Sequence, residues 1–404
     1  MGKPTLAELS PVPGIRLSTV SAGIKKPGRR DVVVMEIAEG AAVAAVFTQN
    51  AFCAAPVSVA KHHISQVSPH YLLINTGNAN AGTGELGVKN SLACCEALAE
   101  QCKCEPQQVL PFSTGVIGEH LPVNKITAVL PQAVAGLSDA GWEQAAHGIM
   151  TTDTVPKGQS RRISVDGETI VVTGIAKGAG MIHPNMATML AYVATDAKVS
   201  AEVLQVLWRE VVSKTFNKIT IDGDTSTNDS AILIATGKAT LPEITSSDHP
   251  AFAPLKQTIM QLCEQLAMDM VRDGEGATKL ITIDVLGGAT QQECDEVAFT
   301  VAHSPLVKTA MFASDPNWGR ILAAVGRAGL ENLDLAKIQI YLNDVCIVQN
   351  GGRASEYTEA QGQQVMSQEE ITVRIELNRG EFQTRVWTCD FSYDYVRINA
   401  EYRT

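Results

Sequence analysis

The chain has 404 residues, of which 45% are hydrophobic, 19% charged and 5% aromatic. This composition supplies a large apolar core, indicates roughly two to three domains and excludes an intrinsically disordered chain. The 32 Lys and Arg against 43 Asp and Glu give a net charge of −11, which disfavours a nucleic-acid partner, as does the scarcity of aromatic stacking platforms.

Targeting signals and cysteine use indicate where the protein works. The segment MGKPTLAELS has no basic region followed by an apolar one, and no apolar run approaches the about 20 residues that span a bilayer. The odd number of cysteines, nine, is typical of free thiols in a reducing compartment. We therefore expect a cytoplasmic protein with no membrane partner.

Apolar runs of strand length alternate with amphipathic segments of helical length, without a strict β-α-β rhythm. The predicted strands are 31–37, 41–47, 71–77, 109–115, 187–195, 231–236 and 279–287. The predicted helices are 88–103, 123–136, 141–150, 200–216 and 253–271. In the fourth helix, Leu204, Leu207, Trp208 and Val211 have the spacing of one buried face.

Two hairpins and one domain boundary complete the predicted architecture. The first hairpin turns at Asp166–Gly167, and the second, within 371–391, turns at Asn378–Gly380 after alternating apolar residues. Strand-like sequence dominates after about residue 285. We predict a mixed α/β fold with a larger domain over 1–284 and a β-rich domain over 285–404.

Familiar cofactor and catalytic motifs are weak or missing. Gly82–Gly87 reads GxGxxG, but an irregular polar loop precedes it, so it is poor evidence for a dinucleotide site. The stretch DGDTSTNDS (222–230) is rich in oxygen ligands yet lacks the glycine and glutamate that an EF-hand needs. Neither HExxH nor GxSxG occurs. We expect no metal and no cofactor.

The segment KGAGMIHPNMATML (177–190) is the most informative part of the chain. Its glycines can form a strained turn that brings backbone groups close to a reacting atom, and Lys177 can hold a carboxylate. A plain loop entering a core strand explains the same pattern equally well. On the residues alone, both interpretations stay open.

Here the sequence resembles the ornithine acetyltransferases, also called bifunctional glutamate N-acetyltransferases of arginine biosynthesis. The motif AKGAGMIHPNMATMLAYVATDA (176–197) carries the resemblance. Further matching segments follow the family order along almost the whole chain: STGVIGEHLP (113–122), IMTTDTVPK (149–157), DGDTSTND (222–229), RDGEGATK (272–279), DPNWGRILAAVGRAG (315–329) and YVRINAEYRT (395–404). The resemblance implies the layered sheet–helix fold shared with N-terminal-nucleophile aminopeptidases.

The resemblance also implies self-cleavage between Ala187 and Thr188, into chains of 187 and 217 residues. The hydroxyl of Thr188 would then act as the nucleophile, and its newly freed α-amino group, with a pKa of about 8, as the base. Thr114 and Gly115 would supply the oxyanion hole. Such a mechanism needs no catalytic histidine.

The family's substrate contacts correspond to Thr151, Lys177, Thr188, Glu275, Asn399 and Thr404. Among these, Lys177 suits a carboxylate and Glu275 an ammonium group. Thr152 and Thr154 compete with Thr151 for the first of these positions, and one sequence does not choose between them.

The implied reaction is ping-pong transfer of acetyl from N-acetylornithine to glutamate. The implied assembly contains two copies of the 187-residue α chain and two of the 217-residue β chain. The sequence leaves open whether acetyl-CoA is also a donor. The first alternative is a self-cleaving N-terminal-nucleophile aminopeptidase or amidase, which would pass the acyl group to water. The second is an uncleaved nucleotide- or metabolite-binding protein that uses the Gly82–Gly87 loop.

Overall fold

A computed structural model of the protein describes residues 2–165, 167–183 and 189–401. The chain folds into two compact units, each discontinuous in sequence. The larger unit comprises Pro4–Asn217 and Asp224–Met270, and the smaller unit comprises Met1–Lys3, Lys218–Gly223 and Val271–Thr404.

The larger unit contains nine of the described strands and the first six helices. The strands are β1 (Ile15–Val20), β2 (Val32–Ile37), β3 (Ala42–Phe47), β4 (Tyr71–Asn78), β5 (Val109–Val116), β6 (Lys157–Val165), β7 (Glu168–Lys177), β8 (Leu190–Thr195) and β9 (Ser230–Ala235). The helices are α1 (Ala55–Gln66), α2 (Gly84–Cys102), α3 (Val123–Ala135), α4 (Trp142–Gly148), α5 (Ala201–Lys214) and α6 (Phe252–Arg272).

These strands form two sheets, with the orders β1-β2-β4-β5 and β3-β9-β8-β7-β6. The pairs β4–β5 and β8–β9 are parallel, and the other pairs are antiparallel. A parallel pair needs a crossover, which α2 supplies between β4 and β5 and α5 between β8 and β9. The predicted first hairpin is confirmed in its two arms, because β6 and β7 pair from Val165 and Glu168 outward, whereas Asp166 of its turn lies outside the described residues.

The two sheets bury a shared apolar layer between them. Side chains of both sheets belong to one core cluster, and the rings of Phe112 and Tyr192 meet edge to face at 5.4 Å between centroids. Helices α2 and α3 cover the outer face of the first sheet. Against the second sheet, the fully buried Trp208 of α5 donates its indole N–H to the carbonyl of Ala231 at 2.9 Å. The layered α/β class predicted from the sequence is confirmed.

The smaller unit contains one mixed sheet and several helices. Its strands are β10 (Leu280–Gly288), β11 (Gln339–Leu342), β12 (Val345–Gln349), β13 (Gly352–Arg353), β14 (Glu370–Glu376) and β15 (Phe382–Cys389), in the order β13-β12-β11-β14-β10-β15. Its helices are α7 (Gln291–Ala302), α8 (Pro305–Phe312), α9 (Trp318–Gly326), α10 (Glu359–Met366) and α11 (Tyr393–Ala400). Along the whole described chain, and not only in this unit, single-turn 3-10 helices occur at Pro106–Gln108, Phe216–Lys218 and Leu335–Lys337.

The predicted second hairpin is wrong. Strands β14 and β15 do not pair with each other, because β10 lies between them, parallel to β14 and antiparallel to β15. Ile283 of β10 faces Val373 on one side and Val386 on the other. Alternating apolar residues identify the buried face of a strand, but they do not identify the strand that pairs with it.

The smaller unit is also more helical than its sequence suggested. The segment after β10 forms α7, α8 and α9, each with a capping side chain that accepts a backbone N–H of the first turn: Thr290, Ser304 and Asn317. Those caps were the available signal. The long segment of the smaller unit begins at Val271, earlier in the chain than the predicted boundary at residue 285. Residue 285 itself lies inside β10, which is paired on both edges within the smaller unit.

Among the described residues, no helix combines the length and the apolar character that crossing a bilayer requires.

Candidate active site

The end of β5 places Thr114 and Gly115, the predicted oxyanion donors, beside β4. Gly115 has φ +136° and stands opposite Gly77, which has φ +92°. A Cβ atom at position 115 would overlap the backbone of Gly77. Only glycine fits there, because the chain both adopts a conformation that side chains disfavour and approaches its neighbour closely.

Lys177 reaches the same place from the second sheet of the larger unit. Its ammonium donates to the hydroxyl of Thr114 at 3.2 Å, and the residue is only 8% exposed. Lys177 ends β7 directly opposite Leu190, the first residue of β8. The predicted cleavage residues Ala187 and Thr188 lie outside the described residues. Three of the predicted site residues, Thr114, Gly115 and Lys177, therefore lie together.

The polar stretch before β9 supports this corner of the larger unit. The buried Asn228 donates its amide to the carbonyls of Ser113, at 2.9 Å, and of Ala79, at 2.6 Å. The hydroxyl of Ser113 in turn donates to Asn75 at 2.6 Å. These bonds fix the backbone immediately before Thr114, so the oxygen-rich sequence that resembles a metal loop has a structural use here.

Asp229, the next residue, is a buried carboxyl that is incompletely bonded. Within the described part of the chain, its Oδ2 atom has no hydrogen-bond partner. Burial raises the pKa of Asp229 well above its usual range, although Ser226 and the charge of Lys177 act in the opposite direction. The carboxyl is therefore protonated over a wider pH range than an exposed one.

Asp153 is a second buried carboxyl, with the opposite shift. Burial alone would raise its pKa, but the charges of Lys157 and Lys177 and its hydrogen bonds hold the pKa well below the usual range. Its Oδ2 atom accepts the backbone N–H of the predicted substrate contact Thr151 at 2.9 Å. Asp153 is thus ionised at neutral pH.

The smaller unit brings two other predicted contacts together. The side-chain amide of Asn399, on α11, donates to the buried carboxylate of Glu275 at 2.8 Å. Asp390 anchors the loop that carries Glu275, by accepting the backbone N–H groups of Thr278 and Lys279 at 2.8 Å. The predicted contact Thr404 lies outside the described residues.

Sequence reasoning missed Asp153, Ser113, Asn228 and Asp229. All four stand inside recognised segments: Ser113 in 113–122, Asp153 in 149–157, and Asn228 and Asp229 in 222–229. Such positions could have been singled out, because polar side chains at the edge of an apolar core need partners.

The glycine-rich loop that suggested a dinucleotide site has a packing explanation. Helix α2 begins inside it at Gly84, and a Cβ at Gly87 would overlap the hydroxyl of Thr83. In the parts of the chain that the structure describes, no three His, Cys, Asp or Glu side chains converge in a metal-binding arrangement.

The model of the ArgJ family matches residues 16–404. The chain belongs to the ArgJ family. Two curated relatives, each named arginine biosynthesis bifunctional protein ArgJ, come from Pseudomonas fluorescens (61% identical) and Pseudomonas syringae pv. tomato (60% identical), and both alignments cover 100% of the two chains. The family predicted from the sequence motifs is therefore confirmed.

Solved structures of related proteins give partial matches to this ArgJ family chain. A crystal structure of arginine biosynthesis bifunctional protein ArgJ from Bacillus halodurans is 37% identical, covering 51% of this chain and 95% of that one, with a TM-score of 0.49. Ornithine acetyltransferase from Mycobacterium tuberculosis, complexed with ornithine, is 33% identical, covering 45% of this chain and 98% of that one, with a TM-score of 0.40.

Proposed function

We propose that this chain is a glutamate N-acetyltransferase of arginine biosynthesis, which moves acetyl from N-acetylornithine to glutamate through an acetyl ester on Thr188. The observation that carries the proposal is the full-length match, at 60% and 61% identity, to two curated ArgJ proteins. The hydrogen bond between Lys177 and Thr114 supports the proposal, because it is consistent with a role for the Thr114 hydroxyl in the reaction.

The hydrogen bond from Lys177 to Thr114 indicates how the Thr114 hydroxyl would use its own proton. Because the ammonium of Lys177 donates to Oγ1 at 3.2 Å, the oxygen acts as acceptor and its own proton is left to donate elsewhere. This proton and the backbone N–H of Gly115 would stabilise the negative oxygen of each tetrahedral intermediate. Removing one such donor from an enzyme costs about 2.7–4 kcal/mol of transition-state stabilisation.

The nucleophile would be created by cleavage between Ala187 and Thr188. The threonine hydroxyl attacks the preceding carbonyl, the acyl group moves from nitrogen to oxygen, and water releases the ester. The freed α-amino group then takes the proton of the same hydroxyl when that hydroxyl attacks N-acetylornithine. Ornithine leaves, and the amine of glutamate attacks the acetyl ester and departs as N-acetylglutamate.

The substrates carry charges that the predicted contacts can match. Lys177 would hold a carboxylate, and Glu275, oriented by Asn399, would hold the ammonium of ornithine. Thr151 and the terminal Thr404 would complete the contacts. The proposed reaction uses no cofactor. We also propose that acetyl-CoA can replace N-acetylornithine as the acetyl donor. An assembly of two α and two β chains, working in the cytoplasm, completes the proposal.

Steady-state turnover of N-acetylornithine, with and without glutamate, tests this function. We expect sustained ornithine release only when glutamate is present, with one N-acetylglutamate formed for each ornithine. Without glutamate, release should stop after a single turnover per site, because the acetyl ester has no amine acceptor. Sustained release without glutamate would instead identify the aminopeptidase or amidase alternative.

A further inference from the structure

One buried carboxylate joins two of the predicted substrate contacts in the larger unit. Asp153 accepts the backbone N–H of Thr151 on Oδ2, at 2.9 Å, and the backbone N–H of Gly178 on Oδ1, at 2.8 Å. Gly178 directly follows Lys177. The ammonium of Lys157 also donates to Oδ1, at 2.6 Å, and both side chains of this ion pair are fully buried.

The turn after Lys177 needs such support. Gly178 has φ +155°, and a Cβ there would lie 2.8 Å from Cδ1 of Ile182. A backbone in this region of φ is sparsely populated and persists only when surrounding contacts hold it. Hydrogen bonds to an ionised acceptor are stronger than those between neutral groups, so the Asp153 carboxylate is well suited to hold this turn.

We propose that Asp153 is a positioning residue for substrate binding, which fixes the separation between Thr151 and Lys177. The inference rests on the proposed function, in which both residues contact substrate. Asp153 itself is enclosed, and its backbone hydrogen bonds reach the two segments that carry these residues. If either bond is lost, the ammonium of Lys177 and the segment at Thr151 no longer share a common anchor.

Two substitutions distinguish a carboxylate that positions the substrate contacts from an ion pair that only stabilises the fold. Asp153→Asn and Lys157→Met both break the same buried ion pair. Lys157→Met leaves both backbone bonds of Asp153 in place. Asp153→Asn has one carbonyl oxygen, so its NH₂ group confronts one of the two backbone N–H donors.

We expect Asp153→Asn to raise the KM for glutamate and for N-acetylornithine about tenfold, with a smaller fall in kcat. Lys157→Met should raise KM much less. The thermal midpoint of this variant should nevertheless fall, because the substitution leaves the buried carboxylate without its ammonium partner. Asp269→Asn is the matched control, since this buried carboxylate of the same unit accepts the side-chain amides of Gln159 and Gln265.

Equal KM changes in Asp153→Asn and Lys157→Met, or an unchanged KM in Asp153→Asn, would overturn the proposal. If Asp153→Asn does not fold, the double variant Asp153→Asn/Lys157→Met removes the unpaired ammonium, and its KM is compared with that of Lys157→Met. Failure of the double variant to fold would also count against the proposal, because the fold itself would then require Asp153. Wild-type protein without transferase activity would contradict the proposed function instead.

Discussion

Gly115 and Asp229 show how single residues of the candidate site are constrained by what surrounds them. The first is limited by space, because β4 passes too close for a side chain. The second is limited by solvation, because its carboxyl is buried with one oxygen unbonded among the described residues. Each constraint leads to a substitution whose effect can be measured.

Replacing Gly115 by alanine should damage both folding and catalysis. The added methyl group would overlap the backbone of Gly77, so the chain must move and the N–H predicted to stabilise the oxyanion moves with it. We expect kcat for acetyl transfer to fall by about 10²–10³.

The control for this substitution is Gly118→Ala, in the loop after β5. Gly118 also has a positive φ, +85°, but nothing lies within 4 Å of the added Cβ. This variant should lose roughly 1 kcal/mol of stability and keep most of its activity. Wild-type kcat in Gly115→Ala would contradict the assignment of Gly115.

Asp229→Asn should change the pH dependence of stability. Because the folded state raises the pKa of this carboxyl, folding favours its protonated form. The carboxyl therefore costs stability increasingly as pH rises above the ordinary carboxyl pKa of about 3.9. Asparagine does not ionise. We expect the variant to gain free energy of unfolding relative to wild type between about pH 4.5 and pH 8.

Urea unfolding at both pH values measures this difference. Asp196→Asn is a useful comparison, because burial raises the pKa of Asp196 too, while its Oδ1 atom accepts the backbone N–H of Val171. A difference between Asp229→Asn and wild type that does not vary with pH would show that Asp229 is ionised in the folded protein.

At the scale of elements, the local sequence pattern predicted where strands and helices lie better than it predicted which strands pair. The run 71–77 corresponds to β4, and 123–136 corresponds to α3, because a buried strand or an amphipathic helix has a local apolar signature. Helix α1 was missed, although Pro56 in its first turn is a recognised start signal. The pairing of β14 and β15 with β10 depends on contacts distant in sequence, which no local pattern records.

The candidate site shows the same limit. Family motifs indicated Thr114, Lys177 and Glu275, but they did not indicate what holds these residues in place. Asp153 reaches a backbone N–H 25 residues further along the chain, at Gly178. Both residues lie just beyond the open end of the β6–β7 hairpin, where Lys157 pairs with Ala176, so the contact follows from the register of that hairpin and not from a sequence motif.

Helix α5 offers a test of packing at this scale. Trp208 is fully buried against β9, whereas Val206 on the same helix is 66% exposed. Trp208→Ala should lower the free energy of unfolding by about 3–5 kcal/mol, because it leaves a large cavity and removes the indole hydrogen bond to the carbonyl of Ala231. Val206→Ala should change it by less than about 0.5 kcal/mol. Similar urea midpoints for the two variants would contradict this packing.

At the scale of the whole molecule, the predicted cleavage does not follow the division into units. Positions 187 and 188 belong to the range of the larger unit, and β7 before them pairs with β8 after them. Cleavage would therefore leave the two fragments joined within one sheet. We expect them to stay associated in the native protein and to separate only on denaturation.

The central claim is that Thr188, freed by cleavage, carries the acetyl group. Intact-mass spectrometry of the denatured protein, after incubation with N-acetylornithine alone, tests it most directly. We predict an unmodified chain of 187 residues and a chain of 217 residues that begins at Thr188 and carries one acetyl group, which glutamate removes. The Thr188→Ala variant should give one unmodified chain. A single chain of 404 residues from the wild-type protein, or cleaved chains that never carry acetyl, would contradict the account.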